Sequence, residues 1–187
     1  MDALNPHMHA TNSLNQRKKM NPQNELEAKY PYMFQKDKHI GINIARGWFP
    51  MFSELCAEID HQLGDDKQGF FWRQVKEKYG SGRFYYAFGS TKQPMRIDIV
   101  GDDGVMSFKA ESKPRKPTSE KQQIQKRIGE MISKAEKLTH DICIVCGQSP
   151  AKVDETNGYL LVLCDMHAKQ RKQNDNSVTA KDIYFDE

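Results

Sequence analysis

Residues 143–167 read CIVCGQSPAKVDETNGYLLVLCDMH and hold three of the chain's four cysteines. Cys143 and Cys146 form one close pair, and after 17 intervening residues Cys164 and His167 form another. Thiolate and imidazole are ligands that zinc prefers, and a tight turn holds each pair close enough to bind one ion. The spacing therefore predicts a tetrahedral Zn²⁺ site of the Cys3His type, in preference to unligated core thiols.

The residues between and after these pairs predict how the ligands come together. Gly147 allows a left-handed turn that points backbone N–H groups toward the thiolates. Asn157-Gly158 is the preferred dipeptide of a two-residue hairpin turn, which predicts strands over residues 153–156 and 159–163. A helix is expected to begin at the second ligand pair. Knuckle, hairpin and ligand-bearing helix follow one another in the order of a treble clef.

His140 lies three residues before Cys143 and could replace a zinc ligand or support one, although the spacing favours His167. With four protein ligands, the site leaves no coordination position for water or substrate. This favours a structural role over catalysis, because metal binding then contributes folding free energy.

From Trp48 onward, apolar residues recur at steps of three and four, which is the period of an amphipathic helix. Pro50 suits the first turn of this helix and Gly64 its end. Cys56 has no other cysteine nearby in the sequence and is expected to be a small core residue. The predicted apolar face consists of Phe49, Phe52, Leu55, Cys56, Ile59 and Leu63.

Residues 70–110 show the two-residue period of β-strands. Gly80-Ser81-Gly82 is predicted as the turn of a first hairpin and Asp103-Gly104 as the turn of a second. Together they predict an antiparallel sheet of three or four strands, with the helix over residues 48–63 packed on one face. The faces assigned to the first two strands are Phe71, Val75 and Tyr79, and Phe84, Tyr86 and Phe88.

Ser119 is predicted to cap a long helix, because Gln122 follows three residues later as in a capping box. The predicted buried stripe of this helix is Ile124, Ile128, Met131, Ile132, Ala135 and Leu138.

The predicted fold class is α+β: a helix on a small antiparallel sheet, a long helix, and a C-terminal treble-clef-like zinc module. The N-terminal segment is rich in Asn, Gln, Lys and Pro without a sustained period, which predicts a flexible arm. Such an arm can be held by a partner or by a second copy of the chain, so a homo-oligomer is one of the alternatives. The predicted boundaries are 1–29 for the arm, 30–111 for the helix and sheet, 112–140 for the basic linker and long helix, 141–173 for the zinc module and 174–187 for an acidic tail.

Composition excludes two classes of protein. Mean hydropathy is −0.80, and no apolar run approaches the roughly 20 residues of a membrane span. Residues 1–10 lack the charged start and apolar stretch of a secretory signal. Clustered cysteines without such a signal favour a reducing compartment, so we expect a cytoplasmic protein without membrane partners.

Basic charge is concentrated in residues 109–140, where nine cations accompany four carboxylates. Such a segment can meet nucleic-acid phosphate or an acidic protein, or it can form a solvated helix face. Tyr85 and Tyr86 are candidates for stacking on bases. The predicted phosphate contacts are Lys113, Arg115, Lys116, Lys126, Arg127, Lys134, Arg171 and Lys172.

An enzyme is not expected. A zinc module of this order is similar to HNH nucleases, whose hairpin carries a general-base histidine, but residues 151–163 contain no histidine. Asp154 and Glu155 alone do not replace that base. The sequence also lacks a nucleophile elbow and the glycine patterns of nucleotide-binding loops. An HNH-like nuclease is therefore the least favoured alternative.

Three stretches of the sequence occur together in a characteristic order. They are Tyr30-Pro31-Tyr32 with Gly47-Trp48-Phe49-Pro50 and Leu55-Cys56, Val75-Lys76-Glu77-Lys78-Tyr79-Gly80 with Arg83-Phe84-Tyr85, and Cys143-x-x-Cys146-Gly147 with Leu163-Cys164. With these motifs, residues 30–168 resemble a family of small uncharacterised proteins of phages, prophages and bacterial genomes. Members often read Gly-Gly-Leu-Arg where this chain has Gly80-Ser81-Gly82-Arg83, and the hairpin at 95–110 is additional. The resemblance implies a phage or mobile-element context.

Two functional classes follow. The first is a zinc-stabilised, non-enzymatic protein that binds nucleic acid through its basic helix. The second is a phage-encoded effector that binds a host enzyme or defence complex, with the aromatic sheet face or the arm as anchor.

Overall fold

The computed structural model describes residues 21–89, 96–101, 104–109, 119–156, 158–173 and 178–185, and shows a mixed α+β fold. None of the described helices combines the length and the apolar character needed to cross a membrane. The helices are α1 (Pro22–Lys29), α2 (Phe49–Leu63), α3 (Glu120–Leu138), α4 (Asp165–Gln173) and α5 (Ala180–Ile183). The strands are β1 (Gly41–Ile42), β2 (Phe70–Lys78), β3 (Ser81–Phe88), β4 (Arg96–Gly101), β5 (Gly104–Lys109), β6 (Lys152–Thr156) and β7 (Tyr159–Leu163).

Helix α1 lies within the segment predicted as a flexible arm. The Asn21 side chain caps it by accepting the Gln23 N–H at 2.9 Å, and Leu26 is buried in the core. Gln23 also donates to the Ile42 carbonyl at 2.7 Å. One buried leucine and a good cap therefore order residues 22–29, whereas residues 1–20 of the predicted arm lie outside the described residues.

Helix α2 begins and ends where the sequence predicts, with Pro in its first turn and Gly64 at φ 61° after its last residue. Its buried side chains include the predicted Phe52 and Cys56, both fully inaccessible. Phe52 contacts Trp72 and Phe84 on the sheet, with ring centroids 5.1 and 5.3 Å apart. Helix α2 thus packs its apolar face on an aromatic sheet face, as predicted.

The main sheet has the order β1-β2-β3 and is mixed, which corrects the prediction of an antiparallel sheet. β2 and β3 are antiparallel, but Gly41–Ile42 pairs with Gln74 and Val75 in parallel. The physical reason is the connection: α2 lies between β1 and β2, and a helical crossover brings the chain back in the same direction.

Two details of β2 also differ from the prediction. The register shifts between Trp72 and Gln74, so Phe71 lies opposite Ala87 and Val75 lies opposite Phe84, on different faces of the sheet. The turn consists of Tyr79 and Gly80, at φ 53° and 70°, rather than Gly80-Ser81-Gly82. Tyr79 therefore lies in a tight hairpin turn and is 39% exposed.

The second hairpin, β4–β5, forms a two-stranded sheet of its own, so it does not extend the main sheet as predicted. Gly101 pairs with Gly104, so Gly104 is the first residue of β5 rather than the second residue of the predicted Asp103-Gly104 turn. The alternation of apolar and polar residues predicts a strand, but it does not predict which sheet the strand joins. On this hairpin Ile99, Met106 and Phe108 are 51%, 61% and 50% exposed.

Helix α3 starts at the predicted cap, where the Ser119 hydroxyl accepts the Gln122 N–H at 3.3 Å. Ile128, Ile132 and Ala135 are buried as predicted, but Leu138 is 41% exposed. The next inward position after Ala135 is Thr139, which is fully buried. The prediction therefore placed the last inward-facing residue of the helix at Leu138, one position before the observed Thr139.

Two polar contacts fix α3 on the sheet. The Glu136 carboxylate accepts the Phe84 N–H, and the Thr139 hydroxyl accepts the Gly82 N–H, both at 2.9 Å. Buried hydrogen bonds of this kind specify orientation as well as proximity. Glu136 follows Ile132 by four residues, on the same side of α3, but its charge excluded it from the predicted apolar stripe.

A single hydrophobic cluster runs from Leu26 to Ile183 and joins the predicted sheet domain to the cysteine-containing segment. Gly47 lies directly on residues 143–147: a Cβ placed there would be 2.0 Å from the Cys143 carbonyl oxygen. The Gly47 N–H donates to the Ile144 carbonyl at 2.9 Å, and the Trp48 indole N–H donates to the Ile142 carbonyl at 2.9 Å. The two most distinctive sequence motifs therefore lie against each other.

Part of the predicted acidic tail, 174–187, also packs on this region. Ile183 is buried, the Arg46 side chain donates to the Tyr184 carbonyl at 2.7 Å, and Phe185 packs edge-to-face on Phe49 at 5.2 Å. Apolar residues between the acidic ones anchor the segment, which net charge alone does not reveal.

Gly47→Ala should strongly destabilise the protein, because the new methyl group would clash with backbone rather than with a movable side chain. We expect the free energy of unfolding to fall by about 3 kcal/mol or more, measured by denaturant titration. Gly41→Ala is the matched control, since nothing lies within 4 Å of its Cβ position, and it should change stability by less than about 1 kcal/mol. Equal losses of stability in the two variants would contradict the close approach at Gly47.

Candidate metal centre

Cys143, Cys146, Cys164 and His167 form a cluster that could hold a metal ion. One potential ligand atom from each residue lies within 4.8 Å of the others. The Cys146 and Cys164 sulfurs are 3.8 Å apart. His167 Nδ1 lies 3.5 Å from Cys143 Sγ and 3.2 Å from Cys164 Sγ. The predicted ligands are thus together, with the Nδ1 nitrogen of the histidine turned toward the thiols.

The first ligand pair lies on a tight turn. Gly147 has φ 78° and its N–H donates to the Cys143 carbonyl at 2.9 Å, so the left-handed glycine predicted from the sequence is confirmed. The Gln148 N–H bonds to the Cys146 sulfur. The Ile144 N–H donates to the Val162 carbonyl at 2.9 Å, which attaches this turn to β7.

The second ligand pair lies where β7 ends and α4 begins. The β6–β7 hairpin has the predicted two-residue turn, with Thr156 paired to Tyr159 and Gly158 at φ 77°. Cys164 follows β7 directly, and His167 is in the first turn of α4. The hairpin thus returns the chain to the first pair, and the helix sets the separation of the last two ligands.

The environment changes the acidity of the thiols in different directions. Burial raises the pKa of the Cys164 thiol, but hydrogen bonds, first from the His167 backbone N–H and then from its side chain and the other thiols, lower it to about 7. Burial of its sulfur and the neighbouring thiols raise the pKa of Cys146 to about 11, although the Gln148 N–H lowers it. Of Cys146 and Cys164, Cys164 is therefore the thiol closer to its thiolate form at neutral pH.

Cys56 is not part of this cluster. Its side chain is fully buried on α2, and this burial raises the pKa of its thiol to about 12. His140 is exposed just after α3, and among the described residues the cluster consists of the four predicted ligands without it.

Arg171 does not face solvent, which corrects its assignment as a phosphate contact. It is 7% exposed and donates to the Asp154 carboxylate and carbonyl at 3.1 and 3.0 Å. It also donates to the carbonyls of Thr156 and Tyr159 at 3.1 and 3.0 Å. The guanidinium binds α4 to the β6–β7 hairpin, and its position on the buried face of a short helix could not be inferred from charge.

Of the other predicted phosphate contacts, four are exposed and three lie outside the described residues. Lys126, Arg127 and Lys134 are exposed on α3, and Lys126 lies 3.6 Å from Glu130, one turn away. Lys172 is 68% exposed and lies 3.6 Å from the Asp154 carboxylate. The predicted contacts Lys113, Arg115 and Lys116 lie outside the described residues.

The two tyrosines predicted to stack on bases lie on opposite faces of β3. Tyr86 belongs to the aromatic core face, with its ring 5.8 Å from Phe70 and 6.4 Å from Trp72. Tyr85 lies on the other face, half-buried, with Lys76 5.8 Å from its ring. Tyr86 is therefore a packing residue, and of the pair only Tyr85 faces outward.

No family model matches this chain, and neither a curated protein nor a solved structure matches it.

Arg171→Met should destabilise the protein by about 3 kcal/mol, because it removes the buried donor of three carbonyls and leaves the buried Asp154 carboxylate with only the Thr156 hydroxyl and Lys172 as partners. Lys172→Met is the neighbouring control: its exposed ammonium at 3.6 Å should contribute less than about 1 kcal/mol. Denaturant unfolding of both variants measures the difference. Normal stability of Arg171→Met would contradict the structural role.

Proposed function

We propose that Cys143, Cys146, Cys164 and His167 bind one Zn²⁺ in a structural site of the treble-clef type. Three soft thiolates and one imidazole are a donor set typical of zinc. In a tetrahedral site with Zn–S near 2.3 Å and Zn–N near 2.0 Å, neighbouring sulfurs are about 3.8 Å apart and sulfur and nitrogen about 3.5 Å. The distances of 3.8 Å for Cys146–Cys164 and 3.5 Å for Cys143–His167 support this assignment.

The proposed ion would act on folding rather than on a substrate. Four protein ligands complete its tetrahedron, so no position is left for a reactive water. Two of its ligands, Cys143 and Cys146, lie on the turn that contacts Gly47, and Cys143 and Cys164 belong to the common core. Binding the ion would therefore stabilise the helix and sheet as well as the C-terminal segment.

Purified protein should contain close to one zinc per chain by elemental analysis. Cys143→Ser should lose the metal and lower the stability of the whole chain, because three ligands hold zinc less tightly and the core is shared. Cys56→Ser should keep the metal, since that thiol is buried apart from the cluster. Folded protein that was never exposed to chelator and carries no zinc would overturn the site.

We further propose that the protein is non-enzymatic and binds nucleic acid through the outer face of α3. Five exposed cations lie on this helix with two exposed carboxylates, while Glu136 is turned inward and bonded to the sheet. A rigid basic face of this kind meets phosphates by releasing counterions, without requiring base contacts. On the outer face the exposed cations are Lys126, Arg127, Lys134 and Lys137, whereas Lys121 lies on the side of Ile128, two turns before it.

A protein partner is the second candidate, and one observation favours it. Ile99, Met106 and Phe108 are all at least half exposed on the β4–β5 hairpin. Exposed apolar groups in close succession are typical of contact surfaces. The aromatic sheet face cannot serve as this anchor, because α2 packs on it. A phage or mobile-element origin and a cytoplasmic location, suggested by the sequence, suit either candidate.

An HNH-like nuclease is the weakest candidate. The hairpin that carries the catalytic histidine in such enzymes has none here, and Asp154 is bonded to Arg171. A buried carboxylate that is already paired is poorly placed to activate water.

Replacing Lys126 and Arg127 together by Gln should weaken binding to random duplex DNA. The dependence of log affinity on log salt should decrease by up to about 0.9 for each phosphate that the variant no longer neutralises. Filter-binding titrations at two salt concentrations, with duplex and single-stranded probes, measure both quantities.

The matched control is Lys36→Gln/Arg73→Gln, which removes the same charge from exposed positions away from α3. It should reduce affinity less and leave the salt dependence nearly unchanged. Zinc-loaded wild-type protein that binds no probe at low salt would overturn the nucleic-acid proposal and leave the protein partner as the candidate.

A further inference from the structure

The three thiols of the cluster differ in their access to solvent. Cys143 and Cys164 are 0% and 5% exposed, whereas Cys146 is exposed. Cys146 lies on the outer side of its turn, followed by exposed residues from Gln148 to Pro150. An oxidant that arrives from solvent therefore meets Cys146 first.

A second thiol is within reach of the exposed one. The sulfurs of Cys146 and Cys164 are 3.8 Å apart, and a disulfide requires about 2.05 Å. Cys146 is the exposed member of the pair, so its side chain is the one that would have to move to close this gap. Cysteines that sense oxidants are typically accessible, react as thiolates and lie beside a second, resolving cysteine, and a cysteine that binds zinc is held in its thiolate form.

We propose that this cluster is a peroxide-sensitive switch in which Cys146 is the ligand that is oxidised first. The inference rests on the proposed zinc site, and it adds a means of regulating that site. Cys56 provides no competing route, since its thiol is fully buried.

The chemistry balances with hydrogen peroxide as the oxidant. The Cys146 thiolate attacks one peroxide oxygen, the O–O bond breaks, and Cys146 becomes a sulfenic acid as hydroxide leaves. A second cluster thiolate, for which Cys164 is placed at 3.8 Å, then attacks the sulfenic sulfur and releases a second hydroxide. The two thiolates are oxidised by two electrons to one disulfide, peroxide is reduced to two hydroxides, and Zn²⁺ keeps its charge.

Oxidation would remove two of the four ligands and release the ion. The turn that supports Gly47 and Trp48 would then lose its cross-link. Because Thr139 ends α3 only a few residues before Cys143, the end of that helix would loosen as well. The switch would therefore couple peroxide to the integrity of the shared core.

The test uses the full-length zinc-loaded protein and hydrogen peroxide, with released zinc followed by a metallochromic dye. Wild type should release its zinc, and peptide mapping after alkylation should find a disulfide from Cys146 to another cluster cysteine. Cys146→His keeps a fourth ligand but removes the accessible thiol, so its release should be roughly tenfold slower or more. Cys56→Ser should release zinc at the wild-type rate.

Mapping of the wild-type protein at early times covers the case in which Cys146→His does not fold. Sulfenic acid or disulfide found first at Cys146 supports the switch. Zinc retained by wild type under peroxide, or oxidation that starts at Cys56, Cys143 or Cys164, would overturn it. A wild-type chain that never contains zinc would instead defeat the proposed metal site, so the two failures are distinguishable.

Discussion

The contact between Gly47–Trp48 and the turn at residues 143–147 is the constraint on which the rest of the structure depends. The backbones of the two segments are in direct contact there. A Cβ at Gly47 would be 2.0 Å from the Cys143 carbonyl oxygen, so only glycine fits. Trp48 immediately precedes α2, and its indole binds the Ile142 carbonyl, so the contact fixes where that helix begins. The same turn is hydrogen-bonded to β7. One short loop therefore positions helix, hairpin and metal cluster together.

This arrangement gives the proposed metal more influence than a local cross-link would have. The aromatic cluster of Phe52, Trp72 and Phe84 and the buried cysteines belong to one core. A chain of this size is only marginally stable, so a group that holds one end of a shared core acts on all of it. Zinc binding, helix packing and sheet formation would then be one cooperative equilibrium, which is also why oxidation of a surface ligand would reach the interior.

Buried and exposed cations have different roles in this protein. Arg171 is buried and donates to carbonyls and to Asp154, whereas the cations of α3 face solvent. Glu136 and Thr139 hold α3 on the sheet through backbone N–H groups, which leaves its outer face rigid and open to solvent. The β4–β5 hairpin, in its own two-stranded sheet, presents apolar side chains instead.

The sequence by itself determined the features that depend on local chemistry. Ligand spacing predicted the cluster, Gly147 its left-handed turn, and the periods of α2 and α3 their helices, because a few neighbouring residues settle each of these. Tertiary structure alone decided the parallel β1, the register shift after Trp72, and the burial of Arg171 and Glu136. These depend on which distant segment supplies the opposite surface. Local sequence specifies what a segment can form, but only packing against its partner decides which face is covered.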